Sequence, residues 1–362
     1  MKAIGGTAGD LPGAPPAKAM RRAPAARRIV DALRSSEEQL WRWTARVAVV
    51  LPLAALVFAI TVLAIKAYPA IIVNGWSFLT GSSWTYGSSY GATVHTHGVA
   101  HPMGSSFGAW PLILGTIQTS AVAVVIALPI SIGAAFALTE RLPRWVSQPL
   151  GFAVELLAGF PSVIIGLWGI LTFGPFLARH VYPHIADHMP DVPVLRYFRN
   201  PVGHGEGLLT AGIVLALMIV PIITATTRDL FGQIPPLPKE GGEALGMTDW
   251  EVARRISLRW VRSGIIGATV LGLGRALGET IAVVMITGSI LHVAPNIYSP
   301  MTTIAATILT QLDGALTDGT GFAVATLAEL ALVLAVISVA VNLVARFIVK
   351  RSGRLGGPVG RA

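Results

Sequence analysis

Long runs of uncharged, apolar residues alternate with short polar and basic stretches along the chain. At a rise of 1.5 Å per residue, about 20 helical residues cross the roughly 30 Å of hydrocarbon in a bilayer. Six runs are long enough, namely residues 47–65, 110–138, 146–178, 207–227, 263–291 and 321–348. Because backbone polar groups in lipid need partners within their own segment, the pattern predicts an all-α membrane protein with six transmembrane helices.

The composition agrees with a chain that lies largely in hydrocarbon. Hydrophobic residues make up 53% of the 362 positions and charged residues 12%, whereas soluble domains carry about 25% charged residues. The chain has no cysteine, which excludes disulfides, iron–sulfur clusters and cysteine nucleophiles. None of its five lysines lies in the glycine-rich loop that cradles nucleotide phosphates, so we expect no cofactor in this chain.

The basic residues indicate how the helices are oriented. The N-terminal tail, the second and fourth loops and the C-terminal tail hold 22 of the 27 Lys and Arg residues. Because cytoplasmic loops carry the excess of Lys and Arg, both termini are expected in the cytoplasm. The chain then divides into a cytoplasmic tail (1–45, helical near 37–46), a transmembrane domain (46–350) and a second tail (351–362). Lipid is an expected partner and nucleic acid is not, since no basic patch is interleaved with stacking aromatics.

The loop between the fourth and fifth helices combines charge with apolar side chains. Its pattern predicts a short amphipathic helix, a turn at Gly246, and a second helix that enters the membrane. The apolar positions among the charges are Ala244, Leu245, Met247, Trp250 and Val252. Two interpretations follow: an interfacial helix that lies on the bilayer, or a protrusion that docks into a groove of another protein.

The same loop resembles the cytoplasmic motif of ABC importer permeases. That motif reads Glu-Ala-Ala, three residues, Gly, nine residues, then Ile-x-Leu-Pro. Here the spacing is reproduced, with Gly-Gly in place of Ala-Ala and Arg259 in place of the proline. The resemblance implies that residues 240–258 are a coupling segment that docks on an ATPase subunit. The residues it assigns to coupling are Glu240, Gly241, Gly242, Ala244, Leu245, Gly246, Trp250, Ile256 and Leu258.

Three further blocks are similar to the phosphate-specific branch of this family. They are residues 115–120 with 129–133, 155–162 with 166–169, and 275–280. The similarity extends over about residues 45–350, and the long loop after the first helix resembles PstC-type rather than PstA-type subunits. It implies a non-catalytic permease of type I fold in the bacterial cell membrane. The implied partners are a PstA-type permease, two cytoplasmic ATPase subunits that bind the ATP, and an extracytoplasmic phosphate-binding protein.

Four ionisable side chains fall inside the predicted helices: Arg275, Glu279, Glu155 and Glu329. An arginine near the bilayer centre is costly unless it faces protein or water. Glu279 is one turn from Arg275 on the same predicted helix face, so one interpretation is a structural ion pair. The other is a lining of the translocation path, because an arginine fork suits phosphate oxygens and a nearby carboxylate keeps binding weak enough for release.

Hydroxyl groups within the helices are further candidates for this path. Thr119, Ser120 and Ser162 are included in it, although such groups ordinarily bond to the preceding turn of their own helix. Together with Arg275, Glu279 and Glu155, they complete the predicted substrate path.

The histidines form two close sets in the first and third loops. One set is His95, His97 and His101, and the other is His180, His184 and His188. Helical spacing places the second set on one face, but Pro183 is expected to interrupt that helix, so no metal site is predicted. Two alternatives to phosphate import remain open: a permease for sulfate or molybdate, and an integral-membrane enzyme.

Overall fold

Six helical stretches of the computed structural model are long and apolar enough to cross a membrane. The structure describes residues 24–88, 92–190, 192, 195–201 and 203–353, with side chains from residue 41 to residue 351. The candidate spans are Trp41–Asn74, Trp110–Arg141, Ser162–Asp187, Leu208–Gly232, Asp249–Gly278 and Phe322–Arg351. The predicted six-helix membrane architecture is therefore confirmed, in a structure that is mostly helical. Most of the N-terminal tail (1–23) and the C-terminal end (354–362) lie outside the described residues.

The described part of the chain contains fourteen α-helices, some within the spans and others between them. These are α1 (Pro24–Asn74), α2 (Ser77–Thr80), α3 (Trp110–Phe136), α4 (Arg144–Ala158), α5 (Ser162–Trp168), α6 (Gly174–Phe176), α7 (Tyr182–Asp187), α8 (Leu208–Gly232), α9 (Pro236–Ala244), α10 (Asp249–Val252), α11 (Leu258–Gly278), α12 (Ile281–Thr287), α13 (Ile304–Leu316) and α14 (Phe322–Gly353). Single π-helical turns occupy Ala137–Arg141, Gly169–Phe173, Leu177–Val181 and Ala253–Ser257. A 3₁₀ turn covers Leu195–Phe198.

The chain divides into two units, residues 1–62 and 63–362. In the first unit, α1 begins at Pro24, well before the helical stretch predicted near residues 37–46. The described side chains of this unit, residues 41–62, are all exposed. An apolar helix with an exposed surface of this kind is suited to contact with hydrocarbon.

The second unit is built around α8. The apolar core of α8 is 67% buried, more than that of any other candidate span in the described chain. Small residues allow close helix approach, as they commonly do in membrane bundles. A Cβ added at Gly212 of α8 would lie 2.5 Å from Val122 Cγ1 of α3, and one at Gly272 of α11 would lie 2.9 Å from Ile223 Cδ1 of α8. The core therefore depends on close contact of α8 with α3 and with α11.

The third predicted run, residues 146–178, is not one helix. Helix α4 ends at Ala158, and a separate helix α5 begins at Ser162. Between them Pro161 has extended backbone (ψ 126°), and proline has no N–H to continue the ladder of the preceding helix. The span that follows extends beyond the predicted end to Asp187. Contrary to the sequence prediction, α4 is thus a separate helix before the third span.

The fifth predicted run, residues 263–291, is also interrupted. Helix α11 ends at Gly278, and Glu279 has extended backbone (φ −69°, ψ 127°) before α12 begins. Gly288, at φ +76°, then ends α12 in the left-handed region that glycine tolerates best. The loop before the last span holds another helix, α13, that the hydropathy pattern did not predict.

The long loop after the first span contains four short strands. Strands β2 (Thr93–Thr96) and β3 (Val99–Pro102) form one antiparallel pair, and β1 (Trp84–Thr85) pairs with β4 (Ser106–Phe107). The Phe107 ring packs edge-on against Trp84 at 5.1 Å and lies 6.0 Å from Phe322. These aromatic contacts attach the strands to the start of α14.

Asp318 caps the chain just before α14. Its carboxylate accepts hydrogen bonds from the amides of Thr320 and Ala323, each at 2.9 Å, and from the Thr320 hydroxyl. Burial by itself raises the pKa of this carboxyl, but the hydrogen bonds outweigh burial and hold the pKa below its ordinary value. The last span therefore begins at a fixed position.

Candidate functional site

The 240–258 segment folds as the sequence predicts, into two helices with a turn between them. Helix α9 ends at Ala244, and Gly246 turns the chain with φ +76°. The Met247 amide donates to the Gly242 carbonyl at 3.1 Å, which closes the turn. Glycine has no Cβ and adopts this left-handed backbone without strain, which explains why the motif has glycine at this position.

The second helix of the segment is capped by its own side chains. The Thr248 hydroxyl accepts from the Glu251 amide at 3.4 Å, and the Glu251 carboxylate accepts from the Thr248 amide at 3.1 Å. This reciprocal capping box starts α10. The π turn at Ala253–Ser257 then carries the helical chain directly into α11.

Gly242 brings the two helices of the segment into contact. A Cβ at this position would lie 2.5 Å from Ile256 Cδ1 and 3.2 Å from Val252 Cγ2, whereas one at Gly241 would meet nothing within 4 Å. The two glycines that replace the alanines of the family motif therefore have different structural effects. Gly242 allows close packing, and Gly241 only weakens the helix.

We expect Gly241→Ala to stabilise the segment by about 0.5–1 kcal/mol, because alanine is the better helix former and the position is open. Gly242→Ala is expected to stabilise the segment less, because the added methyl group displaces the Ile256 side chain. Slower amide hydrogen exchange at Leu245 and Met247 in the Gly241 variant measures the effect. Equal exchange rates in both variants would contradict this account.

The surface of the segment exposes large apolar side chains. Leu245 is 81% exposed, Trp250 is 62% exposed, and Leu237 in the first turn of α9 is 76% exposed. Glu240, Gly241, Ala244 and Gly246 are also exposed, whereas Gly242 is buried and Ile256 and Leu258 are half-buried. The predicted set thus divides into residues that hold the two helices together and residues that face outward. Exposed apolar groups of this size are typical of a surface that another molecule covers.

Arg275 lines an open cavity of about 510 Å³, together with residues of three helices. They are Ile222 of α8, Val270, Leu271 and Gly274 of α11, and Asn342 of α14. The Arg275 side chain is exposed. Among the described residues, no carboxylate lies within 4 Å of its guanidinium. The guanidinium is therefore free to bind an anion.

The predicted ion pair between Arg275 and Glu279 is not formed. Glu279 follows the last residue of α11 and has extended backbone, so it is not one helical turn from Arg275. The i, i+4 spacing brings two side chains together only while the helix continues. Glu279 is half-buried and remains close to Arg275 along the chain.

Glu155 lies in a different place from the one predicted. It belongs to α4, outside the six candidate spans, and its carboxylate accepts from Arg228 at 2.6 Å. Arg228 belongs to the last turns of α8, near the 240–258 segment in sequence. The expectation that Glu155 lies inside the third transmembrane helix is therefore wrong, because Pro161 separates α4 from that span.

Glu329 is the one of the four predicted ionisable residues that is buried, with 6% exposure. Its carboxylate accepts from the Asn74 side-chain amide at 2.9 Å. Asn74 is the last residue of α1 and Glu329 lies in the third turn of α14, so this bond joins two helices through residues that are 255 positions apart. A buried carboxylate needs such a partner.

The predicted hydroxyls have mixed surroundings. Thr119 and Ser120 are buried in α3, and the Thr119 hydroxyl donates to the Gly115 carbonyl of the preceding turn, as is ordinary for threonine in a helix. Ser162 is half-buried at the first position of α5. The Thr119 hydroxyl therefore donates within its own helix. A role for these residues in the path stays a prediction.

The first set of histidines lies in strands β2 and β3 and the turn between them, and the second set lies in the last turns of the third span and just after it. Pro183 does not interrupt the helix as predicted, because it occupies the second position of α7, where a missing N–H has no cost. His180, His184 and His188 are all exposed. Within the described residues, no group of three His, Cys, Asp or Glu side chains is placed to hold a metal ion.

Two ion pairs that sequence reasoning missed connect the second span to α9 and α10, the two helices of the 240–258 segment. Lys239 pairs with Glu140, and Arg141 Nη1 lies 3.3 Å from Asp249 Oδ2. They place the second and fourth loops on the same side of the molecule, in agreement with the distribution of basic residues. The sequence feature that could have indicated these pairs is the adjacent opposite charges of Glu140 and Arg141 at the end of an apolar run.

Comparison with known proteins assigns the chain to a family. The family model described as binding-protein-dependent transport system inner membrane component matches residues 127–354. The phosphate transport system permease protein PstC 1 of Mycobacterium tuberculosis is 57% identical over 321 residues, covering 88% of this chain and 95% of that protein. PstC of Pasteurella multocida is 39% identical over 273 residues, covering 75% of this chain and 84% of that protein.

A solved structure of the MetNI methionine ABC transporter in an inward-facing conformation aligns with 68% of this chain and 94% of that chain. Its sequence identity is 18% and its TM-score 0.47, too low to carry an argument. The family model and the sequence relatives suffice by themselves. The chain belongs to the PstC family of phosphate transport system permease proteins, multi-pass inner membrane components of binding-protein-dependent transport systems.

Proposed function

We propose that this chain is one of two permease subunits of an ATP-driven importer of inorganic phosphate. The observation that carries the proposal is the 57% identity to a phosphate permease over 88% of the chain. The other half of the translocation path would come from a PstA-type subunit. In this proposal the chain does no bond chemistry and holds no cofactor, since ATP binds to the partner ATPase subunits.

The 240–258 coupling segment is the proposed docking surface for one of two cytoplasmic ATPase subunits. Its outward apolar side chains, Leu245 and Trp250, are held on a folded pair of helices that Gly242 and Gly246 make possible. Docking rather than lying on the bilayer is supported by the ion pairs of Lys239 and Asp249, which attach both helices to the bundle. Both termini and this segment then lie on the cytoplasmic side, and residues 46–350 form the transmembrane domain.

On the opposite side, an extracytoplasmic phosphate-binding protein would deliver phosphate. The proposed path inside the membrane includes Arg275, which lines a cavity and has no ion-pair partner among the described residues. Glu279 would weaken phosphate binding there enough for release. Thr119, Ser120 and Ser162 are lesser members of this path. Glu155 stands apart from it, because its carboxylate is engaged by Arg228.

Reconstitution tests this function directly. Proteoliposomes that contain this chain, its PstA-type partner, the ATPase and the binding protein are expected to hydrolyse ATP faster when phosphate is added, and to accumulate labelled phosphate. Omission of this chain is the control and should abolish both. Stimulation by sulfate or molybdate but not by phosphate would reassign the substrate. Substrate turnover by the purified chain alone would favour the alternative of a membrane enzyme.

A further inference from the structure

The last turn of the second span carries two adjacent side chains of opposite charge, Glu140 and Arg141. Each pairs with a different helix of the coupling segment. Glu140 pairs with Lys239 of α9, and Arg141 pairs with Asp249, the first residue of α10. We call these four residues the charge clamp. Its two pairs lie on either side of the Gly246 turn.

The local backbone explains how neighbours in sequence reach different partners. Glu140 and Arg141 end the π turn Ala137–Arg141, which the Leu142 amide closes by donating to the Ala137 carbonyl at 2.9 Å. Consecutive residues of a helix point about 100° apart, so the two side chains diverge. The anion Glu140 therefore meets a cation on α9, and the cation Arg141 meets an anion on α10.

The coupling segment moves as one unit if its two helices are joined. Gly242 packs directly on the side chains of Val252 and Ile256, and the Met247 amide bonds back to the Gly242 carbonyl. The clamp therefore holds one compact element at two points, which restrains rotation as well as translation. A single ion pair would leave rotation free.

Helix α3, which continues into the π turn that holds Glu140 and Arg141, makes close contacts near its other end. The Thr116 hydroxyl accepts from the Ile304 amide at 2.9 Å, at the start of α13. One residue earlier, a Cβ on Gly115 would lie 2.1 Å from the Thr302 carbonyl oxygen. A displacement of α3 at its clamped end would therefore reach the Thr302–Ile304 chain, which contacts the second turn of α3 near the opposite end of the span.

We propose that the charge clamp transmits movement of the coupling segment into α3, and that its four residues are positioning residues for transport. The inference rests on the proposed function, in which an ATPase moves the segment. It adds the route by which that movement enters the membrane domain. The Arg141–Asp249 pair is exposed, and exposed ion pairs contribute little to folding, so a transport effect at that pair can be separated from loss of structure.

The test is a charge exchange in the complete reconstituted transporter. Glu140→Lys alone and Lys239→Glu alone are expected to lower the phosphate imported per ATP hydrolysed by about five-fold or more. The double variant Glu140→Lys with Lys239→Glu restores the pair in reverse, and its ratio is expected to return toward that of wild type. The exchange Arg141→Asp with Asp249→Arg should behave alike but with a smaller effect, because those side chains are 49% and 75% exposed.

The matched control is Glu155→Gln. It removes an ion pair between α4 and α8, Glu155 with Arg228 at 2.6 Å, that involves neither α3 nor the 240–258 segment. Its ratio should stay at the wild-type value. Unchanged ratios in both single variants, or no recovery in the double variant, would overturn the clamp while leaving phosphate import intact. Loss of the ATPase on purification of Glu140→Lys would overturn it too, since the pair would then serve assembly. A wild-type complex that imports no phosphate overturns the proposed function and the clamp with it.

Discussion

Arg275→Ala is expected to reduce the initial rate of phosphate uptake by about ten-fold or more, the size of a lost hydrogen-bonded contact to a charged group. The guanidinium is exposed to a cavity of about 510 Å³, and no described carboxylate lies within 4 Å of it. The Arg275 guanidinium therefore forms no structural ion pair with a described residue. A buried arginine in a membrane would need such a partner or water.

Arg275→Lys is expected to retain part of the uptake, because lysine keeps the charge but loses the fork that binds two phosphate oxygens at once. The measurement is labelled phosphate entering proteoliposomes, with equal amounts of assembled complex. Arg262→Ala serves as the control, since Arg262 is exposed on the same helix but lies outside the cavity. Wild-type uptake in both Arg275 variants would remove this residue from the path.

Gly115→Val is expected to lower the free energy of unfolding by about 3 kcal/mol, at the upper end of what overpacking costs. A Cβ at Gly115 would lie 2.1 Å from the Thr302 carbonyl oxygen and 2.8 Å from Met301 Sδ. The carbonyl is backbone, and the chain beside it is held by the bond from the Ile304 amide to Thr116. The neighbour therefore has little room to move.

Thermal unfolding of the purified protein in detergent measures this effect. Gly133→Val is the matched control, because Gly133 lies on the same helix and a Cβ there would meet nothing within 4 Å. A change in unfolding temperature that is equal for the two variants would show that helix propensity, rather than the contact with Thr302, determines the cost. The result also bears on the clamp, since this contact is where α3 meets the chain before α13.

Hydropathy alone was sufficient for the number and approximate position of the spans, because about 20 apolar residues leave few alternatives in lipid. It was not sufficient where the chain breaks inside an apolar run. Both Glu155 and Glu279 were assigned to continuous helices, and in the structure Pro161 and the end of α11 at Gly278 separate them from those helices. Apolar composition does not distinguish one long helix from two short ones.

The coupling motif was recognisable because its spacing records local geometry. Gly246 marks a left-handed turn, and the Thr248–Glu251 capping box starts a helix three residues later. Such features involve neighbours in sequence, so they can be read without the fold. The pairing of Glu140 with Lys239 joins positions 99 residues apart, and no local pattern encodes it.

The sequence by itself determined that this protein lies in a membrane, that it has six spans, and that one loop carries a folded, partly apolar segment. These follow from hydrophobic length, charge distribution and short-range spacing, which act along the chain. Only the tertiary structure decided which charges are paired. Glu155 meets Arg228, Glu329 meets Asn74, and Arg275 is left without a carboxylate among the described residues. The reason is that ion pairing depends on distances of a few ångströms between helices, and helix packing sets those distances.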